Sequence, residues 1–182
     1  MTKTCYIGLL VIFMLQMAAN FFTPIWAAYT HLLGGDIRSA GISIVIFAWG
    51  TALFSIVTPL INNRLKIPEK YFLIAGILIT MLAVISYFYI FQIYYFYAAQ
   101  LLLALGAGIQ IPAFYVLYEE NITDKNRGFA WGALDSVFYF ALGLASLMSA
   151  FLFHHFGVYA VFCCMLGLIV IALILSFFFV RG

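Results

Sequence analysis

QLLLALGAGIQIPAFYVLYEENITDKNRGFAWGALDSVFYFALG, Gln100 to Gly143, is the stretch on which the reading of the chain turns. It reads as a long apolar helix, a charged loop and a second apolar helix. The first helix holds Gly106, Gly108, Gln110 and Pro112; the loop carries Glu119, Glu120, Asp124, Lys125 and Arg127. The second helix opens on Gly128 and carries an acid, Asp135, two turns in, where burial is expected. The rest of the chain is more apolar helix around this pair.

Composition fixes the class. The 182 residues are 67% hydrophobic and 8% charged, against about 25% charge in a soluble domain. So few charges cannot cover a water-facing surface, and the chain reads as an integral membrane protein. A net charge of +2 without a basic run gives no sign of nucleic-acid binding. Cys5, Cys163 and Cys164 all lie in apolar stretches, so neither a disulfide framework nor a metal site is indicated. No enzyme constellation and no cofactor motif is visible. The apolar run from Cys5 to Tyr29 far exceeds the ~7–15 residues of a signal peptide's core and reads as a first membrane span, with cleavage the lesser reading.

Cutting at charges and turn residues gives six spans, approximately 5–30, 38–61, 71–92, 94–118, 128–153 and 157–180, in one domain over 1–182. Lipid offers no partner to bare backbone groups and no alternating strand pattern is present, so the fold class is all-α, a six-helix transmembrane bundle. With the N-terminus inside, Lys3, Arg64, Lys66, Lys70, Lys125, Arg127 and Arg181 lie on the inner side, leaving only Arg38 of the eight basic residues outside. The positive-inside rule then puts both termini in the cytoplasm, in a plasma membrane or, in a bacterium, the inner membrane. Trp26, Tyr29 and the rings from Tyr87 to Tyr97 read as an outer interfacial belt.

Periodicity marks faces. Gln16, Asn20, Thr23 and Ala27 are spaced 4, 3 and 4, one stripe on the first span; cavity lining and simple helix–helix glue both suit it. Pro24 is expected to bend the outer third. Gly50, Thr51, Ser55 and Thr58 suit close packing of the second span; Ala104, Gly108 and Pro112 give the fourth a narrow face. The third and sixth spans are polar-poor and are expected to face lipid. On the fifth span Gly132, Ser136, Tyr139, Gly143, Ser146 and Ala150 form a mostly small stripe, expected to pack tightly against another helix. An ionisable group such as Asp135 costs at least ~2.5 kcal/mol at the membrane centre. Proton coupling, binding of a cationic substrate, and a structural or gating pair with Arg64 or Trp131 are its three readings. His154 and His155 read as interfacial, ahead of metal ligation.

In order and spacing, these motifs make the chain resemble one six-helix half of a major facilitator superfamily transporter. LALGAGIQIPA and DKNRGFAWG follow that family's fourth and fifth helices, and PIWAAYTHLLGGDIRSAG its first helix, outer loop and second helix. The loop motif G-x-L-a-D-R-x-G-R-K corresponds to PLINNRLKIP, with Pro59, Asn63 and Lys66 at its first Gly, Asp and second Gly, and Arg64 matching. Leu102 stands where the fourth helix often has Arg, and the antiporter signature survives only as Gly143. The resemblance implies that the first and fourth helices line a central cavity and that the second and fifth face the other half. Gln16, Asn20, Thr23, Gln100 and Gln110 are then the substrate-binding candidates. Asp135, Arg64, Glu119 and Glu120 are the coupling or gating candidates, with Arg64 and Glu119 or Glu120 the inner pair; Gly132, Ser136, Gly143 and Ser146 would pack one half on the other. The family has twelve helices, so a homodimer would restore the arrangement. The function implied is secondary-active transport of a small solute. A scaffold, a subunit or a fragment of a longer transporter is the competing expectation.

Overall fold

The computed structural model describes residues 3–180. Among them α1 (Lys3–Phe21) and α2 (Trp26–Leu32) make the first span, and α3 (Ile37–Leu65), α4 (Glu69–Ser86) and α5 (Ile93–Glu120) the next three. The last two are α6 (Arg127–Phe156) and α7 (Val158–Phe179). The result is an all-α bundle of 6 helical spans long and apolar enough to cross a membrane. Arg181, counted above among the inner basic residues, lies outside the described residues.

Local chemistry sets the breaks. Pro24 has no N–H to donate and crowds the carbonyl a turn back. The helix therefore tightens into a 3-10 turn over Thr23–Ile25, closed by Ile25 N–H donating to Phe22 O at 3.2 Å. Asp36 starts α3, its Oδ1 accepting from Ser39 N and Ser39 Oγ at 2.8 Å each. At the other end of α3, Lys66 takes a left-handed conformation (φ 53°), its N–H donating to Asn62 O at 2.7 Å. Asn62 then ties the loop: Oδ1 accepts from Ile67 N at 3.0 Å and Nδ2 donates to Glu69 Oε1 at 2.6 Å. The position that the family pattern gives to Gly is thus one where the backbone favours Gly, although Lys fills it.

The spans pack in a curved row: α3 on α5, α5 on α4, α4 on α7, α7 on α1, and α1 on α6. α5 is clamped on two sides by its glycines. Gly106 and Gly108 lie ~200° apart around the helix and so face different neighbours. A Cβ at Gly106 would sit 2.5 Å from Thr80 Oγ1 of α4; one at Gly108 would overlap Phe54 of α3. Gly50 meets Ala104 in the same way, as the small faces of the second and fourth spans lead one to expect.

Three expectations change. The third span does not simply face lipid: 39% of its apolar window is buried, and a Cβ at Gly76 would lie 2.6 Å from Gln110 N. The small stripe of α6 finds no partner among the described residues. Gly132 and Gly143 have no heavy atom within 4 Å of an added Cβ, and Ser136, Tyr139 and Ala150 are exposed while Ser146 is half-buried. The face of α6 that packs inward is Ala130, Leu134, Ala141, Ala145 and Ser149. The ring belt divides. Tyr89, Phe91, Tyr94 and Tyr95 point outward, but Tyr29 and Tyr87 are buried with Phe22, Phe96 and Phe162 in one aromatic cluster joining four spans. An apolar ring gains nothing from an interface when its own bundle offers close-packed ring edges.

Candidate functional site

The two ends of the row curve toward one side, and α1 and α5 barely touch. Between them lies a cavity of about 260 Å³. α1 contributes Gln16 and Asn20 to it, the 3-10 turn Thr23 and α2 Trp26; α5 contributes Gln110. Asn20 Nδ2 donates to Gln16 O at 2.9 Å and to Gln16 Oε1 at 3.4 Å, so the two amides form one polar ridge a helical turn long. Trp26 Nε1 donates to Ser43 Oγ at 2.7 Å, tying α2 to α3 beside the cavity.

Thr80 also lines this cavity, a residue that sequence reasoning passed over by assigning its span to lipid. The signal was there: Gly76, Thr80 and Ala83 share one face of an otherwise bulky helix. Both Thr80 Oγ1 and Gln110 Oε1 are buried without a hydrogen-bond partner. Thr80 Oγ1 faces Gly106 of α5, inside the close contact between the two helices.

A second cavity of about 250 Å³ adjoins the first and shares Gln16 and Asn20 with it. Its other walls are Tyr115 of α5 and Asp135, Phe138, Tyr139 and Leu142 of α6. Asp135 is exposed to this cavity rather than buried in a helix contact, and it makes no ion pair or hydrogen bond with any described residue, Arg64 and Trp131 included. The face it occupies is the one left open by the curve of the row.

The remaining candidates separate. Gln100 lies outside both cavities: it is fully buried against α4, its Nε2 donating to Tyr87 Oη at 3.0 Å. Ten residues place it ~80° away from Gln110 around the helix and ~15 Å along it, so the two cannot share a site. Arg64 is exposed and forms no ion pair among the described residues. Glu119 pairs instead with Arg127 across the short α5–α6 loop, with both side chains about half exposed. Loop length decides this: Arg127 is brought back beside Glu119 by a single turn, while Arg64 ends a different helix. Glu120 is exposed. His154 and His155 meet edge to face at the end of α6.

The family model of the Major Facilitator Superfamily matches residues 8–182. The chain belongs to that superfamily. Among solved structures it is similar to the crystal structure of the POT family transporter PepTSo, with a TM-score of 0.79 at 17% sequence identity. The alignment covers 98% of this chain but only 37% of that one. At that identity the likeness speaks for the fold alone. No curated protein sequence matches.

Proposed function

We propose that the protein is a secondary-active transporter of a small solute, working by alternating access as a homodimer of six-helix halves. The observation that carries this is the cleft between α1 and α5, lined by amides and open along one side of the bundle. On the two flanks of that side stand α3 and α6, whose apolar windows are only 11% and 17% buried, against 50% and 44% for the spans that form the cleft. Two helices this bare, one carrying an unpartnered stripe of Gly132, Ser136 and Gly143, suit docking against a second half. Six spans return the chain to its starting side, so a second copy can sit beside it in the same orientation about a two-fold axis. In this reading both termini face the cytoplasm, across a plasma or inner membrane. Gln16, Asn20, Thr23 and Gln110 touch the solute, and Gln100 supports α5 from behind.

A second reading has a specific observation in its favour. The chain spans 37% of the length of its structural neighbour, so its other half can equally be a different chain or a further segment. Mass in detergent separates the two: a dimer supports the homodimer, and a chain that stays monomeric supports the other half being elsewhere. Transport itself is tested by uptake into proteoliposomes with a panel of solutes, with and without a pH gradient. Asn20→Leu and Gln110→Leu should abolish uptake while leaving folded protein at wild-type yield. Unchanged uptake in both variants rejects the assignment of the site.

A further inference from the structure

The two adjoining cavities differ in what they lack. The larger is apolar but for the amides of Gln16, Asn20 and Gln110, the hydroxyl residues Thr23 and Thr80, and Trp26, and carries no charged side chain. The smaller holds a carboxylate with no cation, Asp135, beside the rings of Tyr115, Phe138 and Tyr139. Between them, Asn20 spends its amide hydrogens on Gln16, which leaves Asn20 Oδ1 as a further acceptor on the shared ridge. The one charged side chain lining either cavity is thus an acid, Asp135, with no cation beside it. A carboxylate flanked by aromatic faces suits a cation that is partly stripped of water, since the rings add attraction of their own. An anionic guest would meet Asp135 at close range with no basic side chain lining either cavity.

We infer that the solute is a small organic ammonium ion: its charged N–H group sits at Asp135 among Tyr115, Phe138 and Tyr139, and its apolar body extends past the Gln16–Asn20 ridge into the α1–α5 cavity. This rests on the transporter reading for its physiological meaning, but binding and transport are measured separately. The full chain in lipid nanodiscs is titrated calorimetrically with 2-(4-hydroxyphenyl)ethylammonium, with the neutral 2-(4-hydroxyphenyl)ethanol and with the anionic 3-(4-hydroxyphenyl)propionate. The ammonium should bind at least tenfold more tightly than either counterpart. Asp135→Asn should erase that preference while leaving the alcohol's affinity unchanged. Tyr139 is 75% exposed, so Tyr139→Leu spares the fold and should weaken the ammonium about threefold or more without affecting the alcohol. No ammonium binding at millimolar concentration, equal binding of alcohol and ammonium, or a preference that survives both Asp135→Asn and Tyr139→Leu overturns the inference. Selective ammonium binding without accumulation in proteoliposomes upholds the cation site and overturns the transport reading alone.

Discussion

Gly76→Ala tests whether the clamp between α4 and α5 sets the bundle's stability. A methyl at position 76 would lie 2.6 Å from both Gln110 Cβ and Gln110 N, and 2.8 Å from Gly106 O. Non-bonded carbons rest at ~3.5–4.0 Å, so the two helices must separate by about 1 Å. The obstructing atoms are backbone and Cβ, which no rotamer change can move aside. Overpacking of this kind costs ~1–3 kcal/mol, and its upper part applies here. Alanine's better helix propensity returns up to ~1 kcal/mol. The net loss is about 1–2 kcal/mol, or about 2–8 °C in Tm at ~2–4 °C per kcal/mol for a chain of this length. The control is Gly167→Ala on α7, where the added methyl meets no heavy atom within 4 Å and propensity alone should hold or raise Tm. Thermal unfolding of detergent-purified protein, followed by the loss of the folded peak in size-exclusion chromatography, reads both. Gly76→Ala melting at or above the wild-type temperature would refute the close approach of α4 and α5. The same variant shifts Gln110, so its ammonium affinity should also fall.

Three further outcomes are expected. Lys66→Gly relieves a left-handed residue at the end of α3; such strain costs ~1–2 kcal/mol, so the variant should melt higher, and a lower melting temperature would count against the turn. Ser149→Ala removes the hydroxyl that donates to Phe21 O beside the Pro24 break, leaving a buried carbonyl without a partner at a cost of ~1–3 kcal/mol; chemical denaturation in mixed micelles measures it, and an unchanged midpoint would show that the carbonyl finds another donor. The Ser39 N–H holds the Asp36 carboxyl below the usual aspartate range. The folded value is the lower one, so the stabilisation is complete above the unfolded pKa, ~3.9, and fades as pH falls through the folded value. Hydrogen exchange at the start of α3 should therefore accelerate only on acidification below that range, and Asp36→Ala should be fast at every pH.

The site was partly legible. Gln16, Asn20 and Thr23 could be placed on one stripe because three polar side chains in a membrane helix stand out against their neighbours, and all three line the α1–α5 cavity. Thr80 stayed hidden because one hydroxyl in a bulky helix is a weak signal. Gln100 and Gln110 looked equivalent in sequence; only the packing of α4 sends one to Tyr87 and leaves the other in the cavity. The ion pair of Glu119 was misassigned to Arg64 because charge type gives no information on which loops come together.

The sequence by itself determined the number of spans and their helical character. Those follow from local facts: lipid gives the backbone no hydrogen-bond partners, so each apolar run must satisfy its own groups as a helix, and charges, Pro and Gly mark where it stops. Which faces meet was decided only in the tertiary structure. In a soluble protein the solvent side is polar and the core side apolar, so the pattern of residues reveals the buried face. In a bilayer both sides are apolar, and contact is chosen by shape. The fit of Gly106 against Thr80, of Gly108 against Phe54, and the bare stripe of Gly132, Ser136 and Gly143 are matters of helix geometry across distant parts of the chain.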